Sequence, residues 1–407
     1  AGAAGDAGVG GVGGTGGVGG TGGTGGTGGT GGVGGTAGSS AGGASGAAGG
    51  AIDVTVNPGG YSGQANSALC DVSYTIGTST ISQLPAMSVT SGDIVVAYQA
   101  TLQGDNWIID RRNFDGTRNG ADALVIPAPT GTTALGPMGV SDAAFGIIGV
   151  LDGDIALCSV DATTGATQTR PLGVGSTGAA LPVEGLYATA ANQWLTVATD
   201  PTGLAYSVQV PFGLATQSLT PITTDSLYQD SSQPVARWDG SRLVATWFGG
   251  IPNALLLGST GSGNFNFSLV DVSEGSYSLV GQCQHLYLAT SPTRRLVTWD
   301  SAFTGTSQVS YALYDDALAK LKAVTVLGAG TDAKAEWVGS QWSVIWNDGT
   351  HLVRQFIDAS GTALGAPATI ATVAEFQKFR VALLPDSRTA ITWWDSATNT
   401  IQLAVCQ

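Results

Sequence analysis

The chain has 407 residues, of which 11% are charged and 43% are hydrophobic, and it contains 63 glycines. A soluble helical protein carries more Lys and Glu, so this balance favours an all-β body rich in turns. The 15 basic residues against 29 acidic ones give a formal net charge of −14. The acidic excess argues against nucleic acid as a partner and disfavours an anionic membrane surface, because both need clustered Lys and Arg.

The first segment, residues 1–38, is a glycine-triplet arm in which glycine occupies every third position for thirteen consecutive triplets. From residue 9 to residue 36 the position after each of these glycines is Val or Thr, and the remaining position holds only Gly or Ala. We predict an assembly role for the glycines of the phase and for the β-branched residues within it. These are Gly2, Gly5, Gly8, Gly11, Gly14, Gly17, Gly20, Gly23, Gly26, Gly29, Gly32, Gly35 and Gly38, with Val12, Thr15, Val18, Thr21, Thr24, Thr27, Thr30 and Val33.

A polyproline II or polyglycine II helix has three residues per turn, so this arm would present two bare ridges and one β-branched ridge over about 115 Å. Its strict period resembles collagen, but it contains no proline to preset φ. Ordering each glycine costs about 1–2 kcal/mol, so we expect order only where neighbouring arms, or another part of the protein, satisfy the backbone. The alternative is a flexible tether. Residues 39–51 lose the period, which predicts a hinge.

Residues 52–407 show a different pattern, short strands of period two separated by clusters of Gly, Asp, Asn, Ser and Pro. Seven units recur in this part, each with an inner strand, a tight turn and a second strand. The unit spacing is 47 to 52 residues, enough for four strands, and it predicts an all-β, seven-bladed β-propeller. The second strands end at Tyr98, Gly149, Ala198, Trp247, Trp299, Trp346 and Trp393, and we expect the aromatic members of this column to fill space between blades.

The seventh unit stops after its third strand, at Cys406, and lacks an outer strand. The segment from Leu69 to Ile76 precedes the first unit and has nothing else to pair with, so it is predicted to close the ring. That arrangement brings Cys70 beside Cys406 and predicts a disulfide. Cys158 and Cys283 fall in units two and five, where buried thiols are expected.

The body resembles a generic seven-bladed propeller, and it is not assigned to the WD repeats. Trp-Asp pairs occur at Trp238, Trp299 and Trp394, but at different places in their units and without the Gly-His partner. A Gly-Gly-Thr arm followed by a propeller is similar to surface lipoproteins and secreted proteins of myxobacteria and their relatives. The resemblance, together with a first residue that is not Met, implies an extracellular or cell-surface protein after removal of a signal.

No residue pattern predicts a catalytic centre or a bound cofactor. The chain has two histidines, His285 and His351, and neither has metal-ligand neighbours at suitable spacing, so zinc is not predicted. His285 lies in an inner-strand pattern and is expected to be a hydrogen-bonded structural residue rather than a catalytic one. Weak calcium binding at Asp152 and Asp154 is the one metal expectation.

Polar residues just past the aligned column form a candidate binding rim. By the repeat they lie in turns between second and third strands, on one side of the ring, where loops on a rigid scaffold commonly bind ligands. The alternative is that they are ordinary turn residues. The candidates are Asp200, Asp300, Asp348 and Asp395, with Trp394 expected to be more exposed than its neighbours.

Three functions follow from these observations. The first is a non-enzymatic filament subunit, a homo-oligomer whose arms pack in the core with propellers outside. The second is a surface-tethered propeller that binds a glycan or protein through one rim. The third is a propeller glycoside hydrolase or lyase, which would need paired carboxylates in a central cleft. No apolar stretch is long enough to predict a transmembrane segment.

Overall fold

The structure is a computed structural model that describes residues 70–79, 84–100, 106–119, 123–128, 132–151, 154–175, 185–189, 191–199, 205–222, 234–239, 242–249, 254–260, 267–272, 283–301, 306–372 and 379–407. The predictions for residues 1–51, the arm and the hinge, lie outside the described residues. Within the described part no helix is long and apolar enough to cross a membrane.

The described chain forms seven four-stranded antiparallel sheets, the blades of a seven-bladed β-propeller, as the repeat predicted. Strand β1 (Cys70–Thr78) belongs to the last blade. Blade 1 contains β2 (Ala86–Val89), β3 (Ile94–Gln99), β4 (Asn106–Arg112) and β5 (Leu124–Pro127). Blade 2 contains β6 (Thr132–Val140), β7 (Ala144–Leu151), β8 (Asp154–Asp161) and β9 (Thr167–Gly175). Blade 3 contains β10 (Leu186–Ala188), β11 (Gln193–Thr199), β12 (Ala205–Pro211) and β13 (Ser218–Pro221).

The remaining blades repeat this order from the inner to the outer strand. Blade 4 contains β14 (Val235–Trp238), β15 (Leu243–Gly249), β16 (Ala254–Thr260) and β17 (Phe267–Asp271). Blade 5 contains β18 (Cys283–Thr290), β19 (Arg294–Ser301), β20 (Gln308–Asp315) and β21 (Lys320–Ala329). Blade 6 contains β22 (Thr331–Val338), β23 (Gln341–Asn347), β24 (His351–Asp358) and β25 (Ala363–Thr372). Blade 7 contains β26 (Phe379–Leu383), β27 (Thr389–Asp395) and β28 (Thr400–Cys406), with β1 as its outer strand.

The core of the propeller consists of seven apolar clusters, one at each interface between neighbouring blades. The cluster between blades 7 and 1 joins Leu403 and Ile401 to Ile94 and Val96, so the ring is closed by the same packing as the other six interfaces. The second strand β3 is buried at every residue, and the other second strands are buried over most of their described length, because both of their faces lie against a neighbouring blade. This burial explains why they read as continuous apolar runs, whereas the outer strand β21 is half-buried or exposed throughout.

The aligned column fills these interfaces, as predicted. Its members Tyr98, Trp247, Trp299, Trp346 and Trp393 are buried, each at the interface with the preceding blade. The column is small in blades 2 and 3, where it holds Gly149 and Ala198.

A tryptophan from elsewhere in the fold supplies the missing volume at those two interfaces. Trp107 of β4 fills the interface between blades 1 and 2, and Trp194 of β11 fills the next. Trp194 packs so closely on Gly146 that a Cβ there would lie 2.9 Å from the indole ring. Each interface therefore receives a large ring from at least one strand.

Strand β1 pairs with β28 in antiparallel register, which places Cys70 opposite Cys406. The two cysteines form a disulfide, as predicted, and both are buried. Cys158 is a buried free thiol, also as predicted. Cys283 begins β18, and its side chain lies outside the described residues.

Candidate functional site in the channel wall

Four polar side chains from the inner strands of blades 3 to 6 form a continuous hydrogen-bonded chain, which we call the channel-wall network. The inner strands of a propeller surround its central channel, so the network lies along one half of the channel wall. Its members are Tyr187 of β10, Arg237 of β14, Tyr287 of β18 and Glu336 of β22.

Arg237 is the centre of this network. Its Nη1 donates to the hydroxyl of Tyr187 at 2.9 Å, and its Nε donates to the backbone oxygen of Leu288 at 2.9 Å. Its Nη2 donates to Glu336 Oε1 at 3.2 Å and also contacts the hydroxyl of Tyr287. The guanidinium lies 4.5 Å from the centroid of the Tyr287 ring. These bonds join the inner strands of four consecutive blades.

The electrostatics of Arg237 favour its charged form. Burial lowers the pKa of the guanidinium, but interactions with Tyr187, Tyr287 and Glu336 outweigh burial and raise the pKa well above its ordinary value. The network therefore contains a permanent positive charge.

Glu336 keeps one oxygen for another partner. Its Oε1 accepts from both Arg237 and the hydroxyl of Tyr287, the latter at 3.0 Å. Its Oε2 has no hydrogen-bond partner among the described residues, and the side chain is 14% exposed. Burial raises the pKa of Glu336, and Arg237 and Tyr287 oppose that effect.

His285 and Asp300 form a second polar pair on blade 5, next to the channel-wall network. Nδ1 of His285 lies 3.1 Å from Oδ2 of Asp300. The carboxylate is buried, whereas the imidazole side chain is 31% exposed and its Nε2 has no partner within the described part of the chain. His285 has a φ of 45°, at a bulge in β18 between Gln284 and Tyr287. A left-handed backbone at such a residue costs about 1–3 kcal/mol, which the surrounding structure must compensate.

Blade 6 repeats this bulge. Asp332 has a φ of 53°, at the register shift between Thr331 and Lys334 of β22. Its Oδ1 accepts from Nζ of Lys334 at 2.5 Å, while its buried Oδ2 has no partner in the described structure. Nζ of Lys334 also lies 5.5 Å from the centroid of the Tyr287 ring.

Opposite charges around His285 stabilise its protonated form. Burial lowers the pKa of His285, but the hydrogen bond that Asp300 accepts from it and the charges of Asp332 and Asp300 raise it by more. Lys334 opposes this, and the net result is a pKa above the ordinary value of 6.5. Burial also raises the pKa of Asp332, yet Lys334 and His285 lower it overall, so that carboxylate is ionised.

Two of the predicted rim residues stabilise their own turns. Oδ1 of Asp348 accepts from the backbone N–H groups of Thr350 and His351, at 2.9 and 2.7 Å. Oδ1 of Asp395 accepts from the backbone N–H of Ala397 at 3.0 Å. Both carboxylates thus do what the alternative interpretation of turn residues expects.

The remaining rim candidates differ from one another. Asp300 is not in a turn but within β19, opposite Val309, and its buried carboxylate faces His285. Trp394 is half-buried, and its indole nitrogen donates to the backbone oxygen of Ser79 at 2.8 Å. Asp200 lies outside the described residues. Among the described candidates, Asp300 therefore contacts an inner-strand residue, His285.

Sequence reasoning missed the channel-wall network, although a signal for it exists. Tyr187, Arg237, Tyr287 and Glu336 follow one another at intervals of 50, 50 and 49 residues, which is the repeat period. Polar residues at this period on inner strands indicate contacts between neighbouring blades.

A separate ion cluster joins blades 4 and 5. It connects the turn between the inner and second strands of blade 4 with the second strand of blade 5 and the turn that follows its third strand. Nη2 of the buried Arg295 lies 2.8 Å from Oδ2 of Asp239 and 2.5 Å from Oδ1 of Asp316. Arg242 contacts both carboxylates. These ion pairs connect the two blades.

The described residues contain no group of three or more His, Cys, Asp or Glu side chains that could hold a metal ion. The sequence predicts weak calcium binding at Asp152 and Asp154. Asp154 is exposed at the start of β8, and Asp152 lies outside the described residues.

Comparisons with known proteins support the fold. Neither protein-family models nor curated protein sequences match the chain. Among solved structures, the WD40 domain of Toxoplasma gondii coronin superposes with a TM-score of 0.53 at 11% identity, over 83% of this chain and 85% of that one. The polysaccharide lyase Uly1 superposes with a TM-score of 0.51 at 9% identity, over 80% of this chain and 90% of that one.

A prolyl endopeptidase structure gives a TM-score of 0.49 at 13% identity over 79% of this chain, which spans 50% of that protein's length. At such identities the likenesses to the coronin domain and to Uly1 show a shared propeller fold and no function.

Proposed function

We propose that this chain is a non-enzymatic subunit of an extracellular filament, in which the glycine arms of many subunits pack together and the propellers lie outside. The observation that carries the proposal is the unbroken phase of thirteen glycine triplets. A flexible tether needs no fixed phase and no ridge confined to Val and Thr. Packed chains of the polyproline II type do need the fixed phase, because side-chain-free ridges let neighbouring backbones approach closely enough to exchange N–H···O=C bonds.

In this proposal the propeller is the folded head of the subunit. The Cys70–Cys406 disulfide ties its outermost strand to the last strand of the ring. Disulfides persist in oxidising environments, so this bond favours a location outside the cytoplasm.

Negative-stain electron microscopy of the purified full chain tests the proposal. We expect fibres from the full chain and dispersed, folded particles from a variant that lacks residues 1–50. A second variant keeps the composition of residues 1–38 but scrambles their order, which removes the period and preserves length, charge and glycine content. Fibres formed equally well by the scrambled variant would contradict the role of the phase, and a full chain that never polymerises would contradict the function.

A tethered recognition domain is the second candidate, and the open polar atoms of the channel wall favour it. The side chains of Glu336 and His285 are 14% and 31% exposed, and each has one polar atom paired within the wall, with Arg237 and with Asp300. In this case ligand binding survives deletion of residues 1–50, whereas filament formation does not.

A further inference from the structure

We propose that the channel wall at the interface of blades 5 and 6 binds a uronate sugar, with His285 Nε2 donating to its carboxylate and Glu336 Oε2 accepting from a neighbouring hydroxyl. This site is independent of the glycine arm and goes beyond the filament function. It rests on atoms that the fold orients but leaves unused.

The two open atoms belong to one connected structure. Tyr287 follows His285 by two residues on β18, and its hydroxyl donates to Glu336 Oε1 at 3.0 Å. The same strand therefore positions the imidazole and contacts the carboxylate. The open donor and the open acceptor are therefore carried by the inner strands of adjacent blades, His285 on β18 and Glu336 on β22.

Each open atom belongs to a side chain whose other polar atom is already hydrogen-bonded. The buried Asp300 occupies Nδ1 of His285, which leaves Nε2 as the atom available to a ligand. Arg237 and Tyr287 both occupy Oε1 of Glu336, which leaves Oε2. Preorganised groups of this kind bind a ligand without first losing side-chain entropy.

Backbone strain is concentrated at the same place. His285 and Asp332 both have positive φ values at bulges of adjacent inner strands. The buried Asp332 also keeps Oδ2 without a partner among the described residues. Strained residues that persist in a fold cluster at binding sites, where the bulge redirects a side chain.

The local charge balance suits an anion once His285 is protonated. The charged groups that face His285 are Asp300 of β19 and Asp332 and Lys334 of β22. Arg380 of β26 interacts with Asp332, and Arg237 pairs with Glu336 on the wall below. With His285 protonated the wall carries four positive against three negative groups, in a chain whose net charge is −14.

A uronate fits these two atoms better than an acidic peptide does. The donor at His285 calls for a carboxylate, and the acceptor at Glu336 calls for a hydroxyl donor close to it. A uronate carries both on one ring, whereas the side chains of Asp and Glu carry the carboxylate alone and the nearest donors are N–H groups of a flexible backbone.

Solid-state NMR of the full chain labelled with ¹⁵N-histidine tests the proposal, and it works on assembled and dispersed protein alike. The chain has two histidines, so His351, the first residue of β24 with 36% of its side chain exposed, is an internal control in the same spectrum. The probe is sodium glucuronate, with glucose and acetate at equal concentration as matched controls. We expect a saturable shift of the Nε2 resonance of His285 with glucuronate, much smaller shifts with acetate or glucose, and no shift at His351.

The pH dependence and one variant complete the test. Binding requires protonated His285, so the glucuronate affinity falls as pH rises through the elevated pKa of that residue. Glu336→Gln keeps the shape of the side chain but replaces one carboxylate oxygen by an NH₂ group, which donates rather than accepts. We expect about a tenfold weaker affinity for glucuronate. Equal shifts at both histidines, no shift at either, or equal binding of a triglutamate peptide would overturn the proposal. Fibres seen by microscopy are unaffected by any of these results.

Discussion

Burial of single side chains sets the reactivity of the residues in this propeller. Cys158 lies in the middle of β8, between blades 1 and 2, and is 1% exposed. Burial raises the pKa of its thiol to about 11, and a hydrogen bond with Thr169 opposes that effect. The reactive thiolate is therefore scarce at neutral pH, and the thiol is also out of reach of reagents.

We predict that iodoacetamide at pH 8 leaves Cys158 unmodified in the folded protein and modifies it completely in urea. Peptide mass spectrometry measures the modification at each cysteine separately, so Cys283 does not confuse the result. Rapid native alkylation of the Cys158 peptide would show that the interface between blades 1 and 2 opens readily.

The sequence predicts the position of a residue well where the repeat determines it. It predicts the position poorly where a β-bulge or pairing with a distant strand determines it. The column from Tyr98 to Trp393 follows directly from period and apolarity. The placement of His285 in an inner strand with a hydrogen bond was also correct. Its partner, Asp300, is predicted in a turn but lies within β19. The sequence does not show this, because the length of β19 is set by its pairing with β20 rather than by any local signal.

Strand β1 is the element on which ring closure depends. It is the outer strand of blade 7 although it precedes blade 1 in the chain, and the disulfide holds it to β28. This strand could be predicted because the seventh unit ends one strand short. The disulfide followed from the same argument, since antiparallel pairing places the two cysteines opposite each other.

We predict that replacing Cys70 and Cys406 by Ser lowers the free energy of unfolding by about 3–5 kcal/mol, because the bond constrains a long segment of the unfolded chain. The two cysteines are 336 residues apart. Urea denaturation with and without dithiothreitol measures the change, and Cys158→Ala serves as a buried-cysteine control that stays sensitive to the reductant. Wild-type stability that does not respond to the reductant would contradict this role of the bond.

Turns between third and outer strands depend on carboxylates, of which Asp358 is the clearest case. Its Oδ1 accepts from the backbone N–H groups of Ser360 and Thr362, both at 2.8 Å. The hydrogen bonds with Thr362 and Ser360 lower the pKa of Asp358 below its ordinary value of 3.8. The pKa of Asp358 is lower in the folded state than in the unfolded state. The carboxylate therefore stabilises the fold fully above pH 3.8, and this stabilisation is lost as the pH falls through the pKa of the folded state.

We predict that Asp358→Ala destabilises the protein at neutral pH, and that the difference from wild type narrows as pH falls below 3.8. Asp358→Asn is the matched control, since it keeps an acceptor in the turn but does not titrate there. Thermal unfolding across the pH range measures both variants. A difference between Ala and wild type that does not change with pH would exclude the charge as its cause.

At the scale of the whole molecule, the repeat determines the ring but not the chemistry inside it. Seven units and their spacing are visible in the sequence, and seven interfaces follow. The channel-wall network was not predicted, because the units were aligned on the aromatic ends of second strands. Contacts such as Arg237 to Glu336 skip a blade and cross 99 residues, which no local pattern reveals.

At the same scale, the proposed assembly assigns different requirements to the propeller head and to the glycine arm. Residues 52–407 are predicted to fold as a propeller with or without the arm, because every interface of the ring lies among them. The arm is predicted to be regular only when neighbours satisfy its backbone, since glycine alone does not preset φ. We therefore predict that fibre formation depends on residues 1–38 and that folding of the head does not.

Electron cryo-microscopy of the assembled full chain is the most direct measurement of this account. We predict a fibre whose core contains the glycine arms as extended rods with three residues per turn, surrounded by seven-bladed heads. Full chains that remain separate particles at high concentration, with no density for such rods, would contradict it.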